Sequence, residues 1–184
     1  MEQRSEEWFE ARKGRVTASM VGAILGVSPN LSRAGAMRRM VRDAYGAEPE
    51  FTGNIATQYG ERNEEGAVAE YYLETGNRVA KVGFVTKEDW AGCSPEGFIN
   101  DDGGLETKCP FGKRKEGDLL PLAEQPHYYA QVQFSLWVTG RKFWHFYQWT
   151  AHQTKLECVL PDQAWLDENL PKLRQFHAEF LAED

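Results

Sequence analysis

The sequence lacks any long apolar run, since none of its apolar stretches approaches the roughly 18–20 residues that a membrane span requires. The opening residues, MEQRSEEWFEARKG, contain no apolar stretch like that of a secretory signal peptide. Internal repeats, low-complexity tracts and linker-like segments are also missing. These absences predict a single soluble domain over residues 1–184, located in the cytoplasm and without a membrane segment.

Cysteine and histidine are scarce, with three and four residues respectively. The odd number of cysteines, at spacings of 16 and 49 residues, argues against a disulfide framework and for reduced thiols. Cys93, Cys109 and His127 do not have the spacing of zinc ligands, so a structural zinc site is not predicted.

Charge is present but unevenly distributed. The net charge is −7, while hydrophobic residues at 41% and aromatic residues at 12% are typical of a globular protein. Residues 1–42 carry eight basic and four acidic side chains, whereas residues 43–75 carry eight acids and one arginine. A protein with this distribution can line one groove with arginine and stay acidic elsewhere, so the net charge alone neither supports nor excludes nucleic-acid binding.

Apolar periodicity and capping residues predict helices first, then strands, a helix, two strands and a final helix. A loop is predicted at Pro49 and Gly53, a hairpin turn at residues 100–104, and a helix interruption at Pro171. In the helix over 32–45, Met40 and Tyr45 are expected to face inward. The helices are predicted at 5–13, 17–26, 32–45, 54–76, 126–140 and from 162 onward, and the strands at 78–86, 97–100, 105–109, 142–150 and 154–160. This order predicts an α/β fold in which a mixed central β-sheet is flanked by helices.

The segment SPEGFINDDGGLETK, residues 94–108, has the residue types of a metal-dependent hydrolase site. Glu106 and Lys108 share one face of a strand, and the turn before them can bring Glu96 back to the same face. Converging carboxylates repel one another unless a cation lies between them, and hard oxygen ligands suit Mg²⁺ or Mn²⁺. A neighbouring lysine can orient a water and stabilise charge on a phosphate. The alternative is a solvated hairpin with acids at its ends.

Two helical residues give the hydrolase interpretation further support. Glu64 shares a helical face with Val68 and Tyr71, and Gln131 lies in an otherwise apolar helix. Inward-facing polar groups need partners, which a metal site with its water would supply. The alternative makes Glu64 a surface acid and Gln131 an amide at the edge of the core.

Five motifs in order along the chain resemble the phage lambda-type exonucleases, also called viral recombinase or alkaline exonucleases, of the PD-(D/E)xK nuclease superfamily. They are WFEARKGRVTAS, YGERNEEGA, GCSPEGFIND, LETKCPFGKR and HYYAQVQFSLWVTG. The resemblance implies a restriction-endonuclease-like core and Mg²⁺-dependent 5′→3′ digestion of one strand of linear double-stranded DNA, which leaves a 3′ single strand for recombination. It also implies a ring-shaped trimer, a single-strand annealing protein as partner, and a phage or prophage origin.

The resemblance also assigns roles by matching position. Glu96 and Glu106 match the two metal-binding acids, and the backbone carbonyl of Thr107 matches a further ligand. Lys108 matches the lysine that positions the attacking water, and Glu64 matches the helical acid of the same site. These roles are what the resemblance implies for this chain.

A supporting glutamine and a pocket for the 5′-terminal phosphate complete the expected site. Gln131 matches the glutamine, and Arg12, Ser19, Ser94 and Arg114 match the pocket. An arginine fork, hydroxyl groups and helix-start amides are chemically suited to a phosphate dianion. Since Ser94 is two residues from the first acid, end binding and cleavage are expected to be adjacent.

One position departs from the family pattern, because the family has Ser-Pro-Asp-Gly where this chain has Ser-Pro-Glu-Gly at residues 94–97. One extra methylene moves a carboxylate by roughly an ångström, and Mg²⁺ requires near-octahedral geometry. Misplacement on that scale costs on the order of a hundredfold in rate. We expect an active enzyme, with two alternatives: a catalytically weakened DNA-end-binding protein, or a PD-(D/E)xK endonuclease or resolvase.

Overall fold

A computed structural model describes residues 1–47 and 53–183, so the loop predicted at Pro49 lies outside the described residues. The α-helices in the described ranges are α1 (Glu6–Arg12), α2 (Ala18–Ile24), α3 (Arg33–Ala44), α4 (Ile55–Thr75), α5 (Pro126–Thr139) and α6 (Gln163–Leu181). Short 3₁₀ turns lie at Phe111–Lys113 and Leu122–Glu124. The six predicted helices are therefore confirmed.

The helix ends follow from the capping residues in the sequence. The side chains of Ser5, Ser32 and Asn54 each accept a hydrogen bond from a backbone N–H in the first turn of α1, α3 and α4. Gly76 and Gly140 end α4 and α5 in the left-handed conformation, with φ of 74° and 66°.

Two expectations about helices are wrong. Tyr45 does not face inward but is 71% exposed, because α3 ends at the residue before it. Pro171 does not interrupt α6, which continues from Gln163 to Leu181. This proline lies on the exposed side of the helix, where water can satisfy the carbonyl group that loses its helical partner.

The strands form two sheets, with bounds β1 (Val16–Thr17), β2 (Val79–Ala80), β3 (Val85–Lys87), β4 (Ala91–Cys93), β5 (Gly97–Ile99), β6 (Gly103–Lys108), β7 (Phe143–Trp149) and β8 (Thr154–Val159). The larger sheet has the order β2-β5-β6-β7-β8 and is mixed, since β6 and β7 are parallel and the other pairs antiparallel. The smaller sheet has the order β1-β4-β3.

The glycines predicted for the hairpin turn belong instead to a strand. β6 begins at Gly103, and the rings of Phe143 and Trp144 on the neighbouring β7 lie where a Cβ at Gly103 or Gly104 would stand. These glycines are required because the aromatic rings occupy that space. The turn is formed by the preceding residues, where Asn100 adopts a φ of 52°.

Helices cover both faces of the larger sheet. Val132 and Leu136 of α5 pack with Trp144 and Phe146 on one face. On the other face, Tyr71 of α4 packs with residues of β5, β6 and β7. The mixed sheet flanked by helices is therefore confirmed. A search of the described helices finds none with the length and apolar character that crossing a bilayer demands.

Candidate active site

The hairpin formed by β5 and β6 places two glutamates side by side. Gly97 pairs with Leu105, and the Glu96 N–H donates to the Leu105 carbonyl at 3.1 Å. This bond is one residue out of step with the ladder, so the antiparallel register ends at Gly97 and Glu96 lies just beyond it. The charge of Glu106 nevertheless acts on the Glu96 carboxyl group, which places the two groups near one another. Glu106 is only 6% exposed. The convergence expected from the hairpin pattern is present in the fold.

Lys108 lies on the same face as Glu106, two residues further along β6. Its Nζ is 3.1 Å from Glu106 Oε1 and 4.7 Å from the centre of the Tyr128 ring on α5. The intervening Thr107 is buried and points to the opposite face, as strand alternation requires. The ammonium group is therefore held between a carboxylate and an aromatic face, with most of its surface shielded from water.

The two helices flanking the sheet each contribute one polar side chain to this cluster. Glu64 of α4 shares a hydrogen bond with Glu96. Gln131 of α5 donates through Nε2 to Glu106 Oε1 at 3.3 Å. Four separate elements thus bring together the acids, the lysine and the amide that the sequence singled out, although their catalytic roles stay predictions.

Burial and like charge make the ionised form of these acids unfavourable. The pKa of Glu96 is raised to about 10 by burial, by the hydrogen bond with Glu64 and by the charge of Glu106. Burial also raises the pKa of Glu106, although Lys108 opposes the shift. Burial alone would lower the pKa of Lys108, but the nearby Glu106 raises it, and the ammonium form is kept.

The donor set fits a hard divalent cation. Glu64, Glu96 and Glu106 supply carboxylate oxygens, and a cation among them would offset both the burial and the like charges that raise the pKa of Glu96. No group of three acidic, histidine or cysteine side chains within residues 1–47 and 53–183 already encloses a metal position. Glu106 is instead paired with Lys108 and Gln131. These carboxylates therefore suit a metal by their chemistry. To bind one, Glu106 would have to give up part of its contact with Lys108 or Gln131.

A second cluster lies beside the acids and contains Arg12 and Ser94, two of the four residues expected to hold a phosphate. The Trp8 indole N–H on α1 donates to Ser94 Oγ at 2.8 Å, and the Arg12 guanidinium lies over the Trp8 ring, 4.1 Å from its centre. Thr17 of β1 pairs with Gly92 of β4, two residues before Ser94, and Ser19 follows Thr17 by two residues in the first turn of α2. Ser19 is exposed, as a ligand-binding hydroxyl must be.

The Arg12 guanidinium is half-buried and, among the residues the structure describes, makes no hydrogen bond or ion pair. Burial lowers its pKa, while the charge of Asp43 raises it. A guanidinium held against aromatic rings with its donors unused is suited to an incoming anion. Arg114, the fourth expected residue, instead stacks on Phe111 at 3.6 Å and donates to its carbonyl at 2.8 Å.

Two residues of the site, Trp8 and Tyr128, are not among those that the sequence indicates. The Trp8 indole contacts both Arg12 and Ser94. The Tyr128 ring contacts Lys108. The i,i+4 spacing of Trp8 and Arg12 was a usable signal, since these positions are neighbours on a helix. No local signal connects Tyr128 to β6.

Comparison with known proteins identifies the family of this chain. Residues 7–142 match the YqaJ-like viral recombinase domain. The chain belongs to this family. The alkaline exonuclease LHK-Exo from Laribacter hongkongensis is 30% identical, with a TM-score of 0.79 over 97% of this chain and 94% of that chain. Its complex with dAMP has a TM-score of 0.81 at the same identity and coverage.

A more distant structure, a phage-related exonuclease from Haemophilus somnus 129PT, shares the fold. It is 16% identical, with a TM-score of 0.68 over 92% of this chain and 96% of that chain. Comparison with curated protein sequences gives no match. The resemblance to viral recombinase exonucleases predicted from the motifs is thus confirmed for this YqaJ-like domain.

Proposed function

We propose that this YqaJ-like domain is a metal-dependent 5′→3′ exonuclease that degrades one strand of linear double-stranded DNA from 5′-phosphorylated ends. The products would be 5′-mononucleotides and a 3′ single-stranded overhang. The observation that carries the proposal is the convergence of Glu64, Glu96, Glu106 and Lys108 from a helix, a strand and the start of the hairpin, near the Arg12 guanidinium that stacks on Trp8.

Each residue of the cluster has a role that its position supports. Glu64, Glu96, Glu106 and the Thr107 carbonyl would hold Mg²⁺, with Mn²⁺ as a possible substitute. The metal would act as a Lewis acid on the scissile phosphate and would lower the pKa of a bound water. Lys108 Nζ, on the same face, can hold the attacking water and stabilise the negative charge that grows on the phosphate.

Gln131 and Tyr128 support this arrangement without reaching the reacting phosphate themselves. Gln131 holds Oε1 of Glu106, and Tyr128 flanks the Lys108 ammonium. Both come from α5, which packs on the sheet through Val132 and Leu136. The hydrophobic packing of α5 therefore fixes the orientation of the polar groups.

The second cluster supports the proposed 5′→3′ polarity of digestion. A terminal phosphate bound by Arg12, Ser19 and Ser94 would set the first phosphodiester bond close to the acids, because Ser94 is two residues from Glu96. Arg114 would join them only by leaving its contacts with Phe111. We further propose that the protein assembles as a ring-shaped trimer around DNA and works with a single-strand annealing protein in recombination. These last two points rest on the family resemblance.

The proposed function is tested with three substrates in Mg²⁺ and then in a chelator. The substrates are linear duplexes with 5′-phosphate or 5′-hydroxyl ends and a covalently closed circle. We expect rapid digestion of the phosphorylated duplex, slower digestion of the hydroxyl duplex, and no digestion of the circle or in chelator. Cutting of the circle at the same rate would instead identify an endonuclease or resolvase.

A second candidate function is DNA-end binding with weakened catalysis, and Glu96 is the observation that favours it. This residue replaces the aspartate of the family pattern and is held by a hydrogen bond with Glu64. If wild type binds phosphorylated ends without metal-dependent digestion, and Glu96→Asp restores digestion, the weakened-catalysis account is correct. Comparable rates for wild type and Glu96→Asp would exclude it.

A further inference from the structure

We propose that Trp8 is a positioning residue that holds the two principal phosphate-binding groups, Arg12 and Ser94, in register with Glu96. The inference rests on the proposed function and deepens it. Trp8 contacts Ser94 across 86 positions of sequence, and it is bonded to neither the acids nor Lys108.

The Trp8 indole fixes the direction of the Ser94 hydroxyl. Trp8 Nε1 has only a donor hydrogen, so at 2.8 Å it donates and Ser94 Oγ accepts. The hydroxyl hydrogen of Ser94 is then left to donate elsewhere, which is the role that binding a phosphate oxygen requires. A phenylalanine at this position would leave the serine free to rotate.

The Trp8 ring also holds the guanidinium of Arg12. Its Cζ lies 4.1 Å from the centre of the Trp8 ring and 5.9 Å from that of Phe84. The guanidinium thus lies against aromatic faces, and no residue in 1–47 or 53–183 accepts a hydrogen bond from it, although the charge of Asp43 acts on it. An ion pair with a protein carboxylate would place the group equally well but would neutralise it and occupy its donors.

A short segment of chain connects the phosphate-binding Ser94 to the acid Glu96. Ser94 precedes Glu96 by two residues, and the connecting Pro95 is buried, with its carbonyl accepting a hydrogen bond from the Gln3 amide at 2.7 Å. Because Gln3 holds Pro95 independently of Trp8, Glu96 keeps its position when the indole is lost. Trp8 therefore places Ser94 and Arg12 relative to a fixed acid, so that its loss weakens binding of the 5′-phosphate rather than the cleavage step.

The test separates the two contacts of the indole. Trp8→Phe keeps an aromatic face for Arg12 but removes the N–H, whereas Trp8→Leu removes both. Trp165→Phe is the matched control, because Trp165 is also half-buried but lies on α6 against Tyr129. Thermal unfolding of all three variants checks that each folds.

The affinity for duplexes with 5′-phosphate or 5′-hydroxyl ends is measured in chelator, and KM and kcat are measured separately with Mg²⁺. For Trp8→Phe we expect the preference for the 5′-phosphate to fall about fivefold, the effect of one hydrogen bond. KM should rise with little change in kcat, and Trp8→Leu should lose more. The hydroxyl substrate and Trp165→Phe should be unaffected.

Equal losses on both substrates would mean that Trp8 only stabilises the fold, and an unchanged preference would mean that it positions nothing. Both results overturn the inference. Failure of the proposed function gives a different result, because wild type would then digest neither duplex. The effect of Trp8→Phe on the preference for the 5′-phosphate could still be measured from binding in chelator. A wild type that binds both ends equally in chelator would also overturn the inference.

Discussion

Replacing Glu96 by glutamine should change how the stability of the metal-free protein depends on pH. Burial, the hydrogen bond with Glu64 and the charge of Glu106 raise the pKa of Glu96 from 4.5 to about 10. The unfolded chain therefore loses this proton near pH 4.5, while the folded chain keeps it until about pH 10. Folding takes up a proton in between, so stability is lost as the pH rises through this window.

The magnitude follows from the linkage of one proton to folding. One carboxyl contributes at most about 1.4 kcal/mol per pH unit, or about 2 kcal/mol between pH 6 and pH 7.5. For a chain of this size, each kcal/mol shifts Tm by roughly 2–4 °C. Relative to wild type, the Tm of Glu96→Gln should rise by about 4–8 °C over this interval.

The assay is thermal unfolding of wild type and Glu96→Gln in chelator at pH 6, 6.75 and 7.5 and constant ionic strength. Titrations common to both proteins cancel in the difference between their Tm values. Glu65→Gln is the control, because Glu65 is exposed on α4. Adding Mg²⁺ should reduce the dependence on pH for wild type alone. A Tm difference that is independent of pH in chelator would refute the account of Glu96.

Three further outcomes are expected. Gly104→Ala should lower the free energy of unfolding by about 1–3 kcal/mol, measured by denaturant titration, because the added Cβ would overlap the Trp144 ring. Lys108→Met should reduce kcat at least about a hundredfold while end binding in chelator is retained, since charge on the phosphate would go unopposed. Gln3→Leu should cost about 1–2 kcal/mol of stability, measured by thermal unfolding, because it leaves the Pro95 carbonyl without its donor; no loss would show that water replaces the amide.

The long elements of the fold could be predicted because their signals are local. The caps at Ser5 and Asn54, the terminating Gly140 and the apolar run of β7 each specify an element within one stretch of sequence. β1 and β4 could not be predicted, because two or three residues carry no periodicity and their pairing is long-range. Gly104 was assigned to a turn because the ring that explains it comes from a strand 40 residues away.

In the candidate site too, the features set by local sequence could be predicted and those set by long-range packing could not. Glu106 and Lys108 could be placed on one face because strand alternation is local, and the hairpin brings Glu96 to them. The position of Glu64 was an inference from helical spacing, supported by the family resemblance. The indole contact between Trp8 and Ser94 depends on how α1 packs against β4, which no nearby residue specifies.

The most direct test of the central claim follows the order in which labelled nucleotides leave a linear duplex. The duplex carries a 5′-phosphate and a different fluorophore near each end of the same strand, and the reaction contains Mg²⁺. We predict that the label near the 5′ end appears first, as mononucleotides, and that Glu106→Gln abolishes its release. Earlier release of the label near the 3′ end, or release of longer internal fragments, would contradict the account.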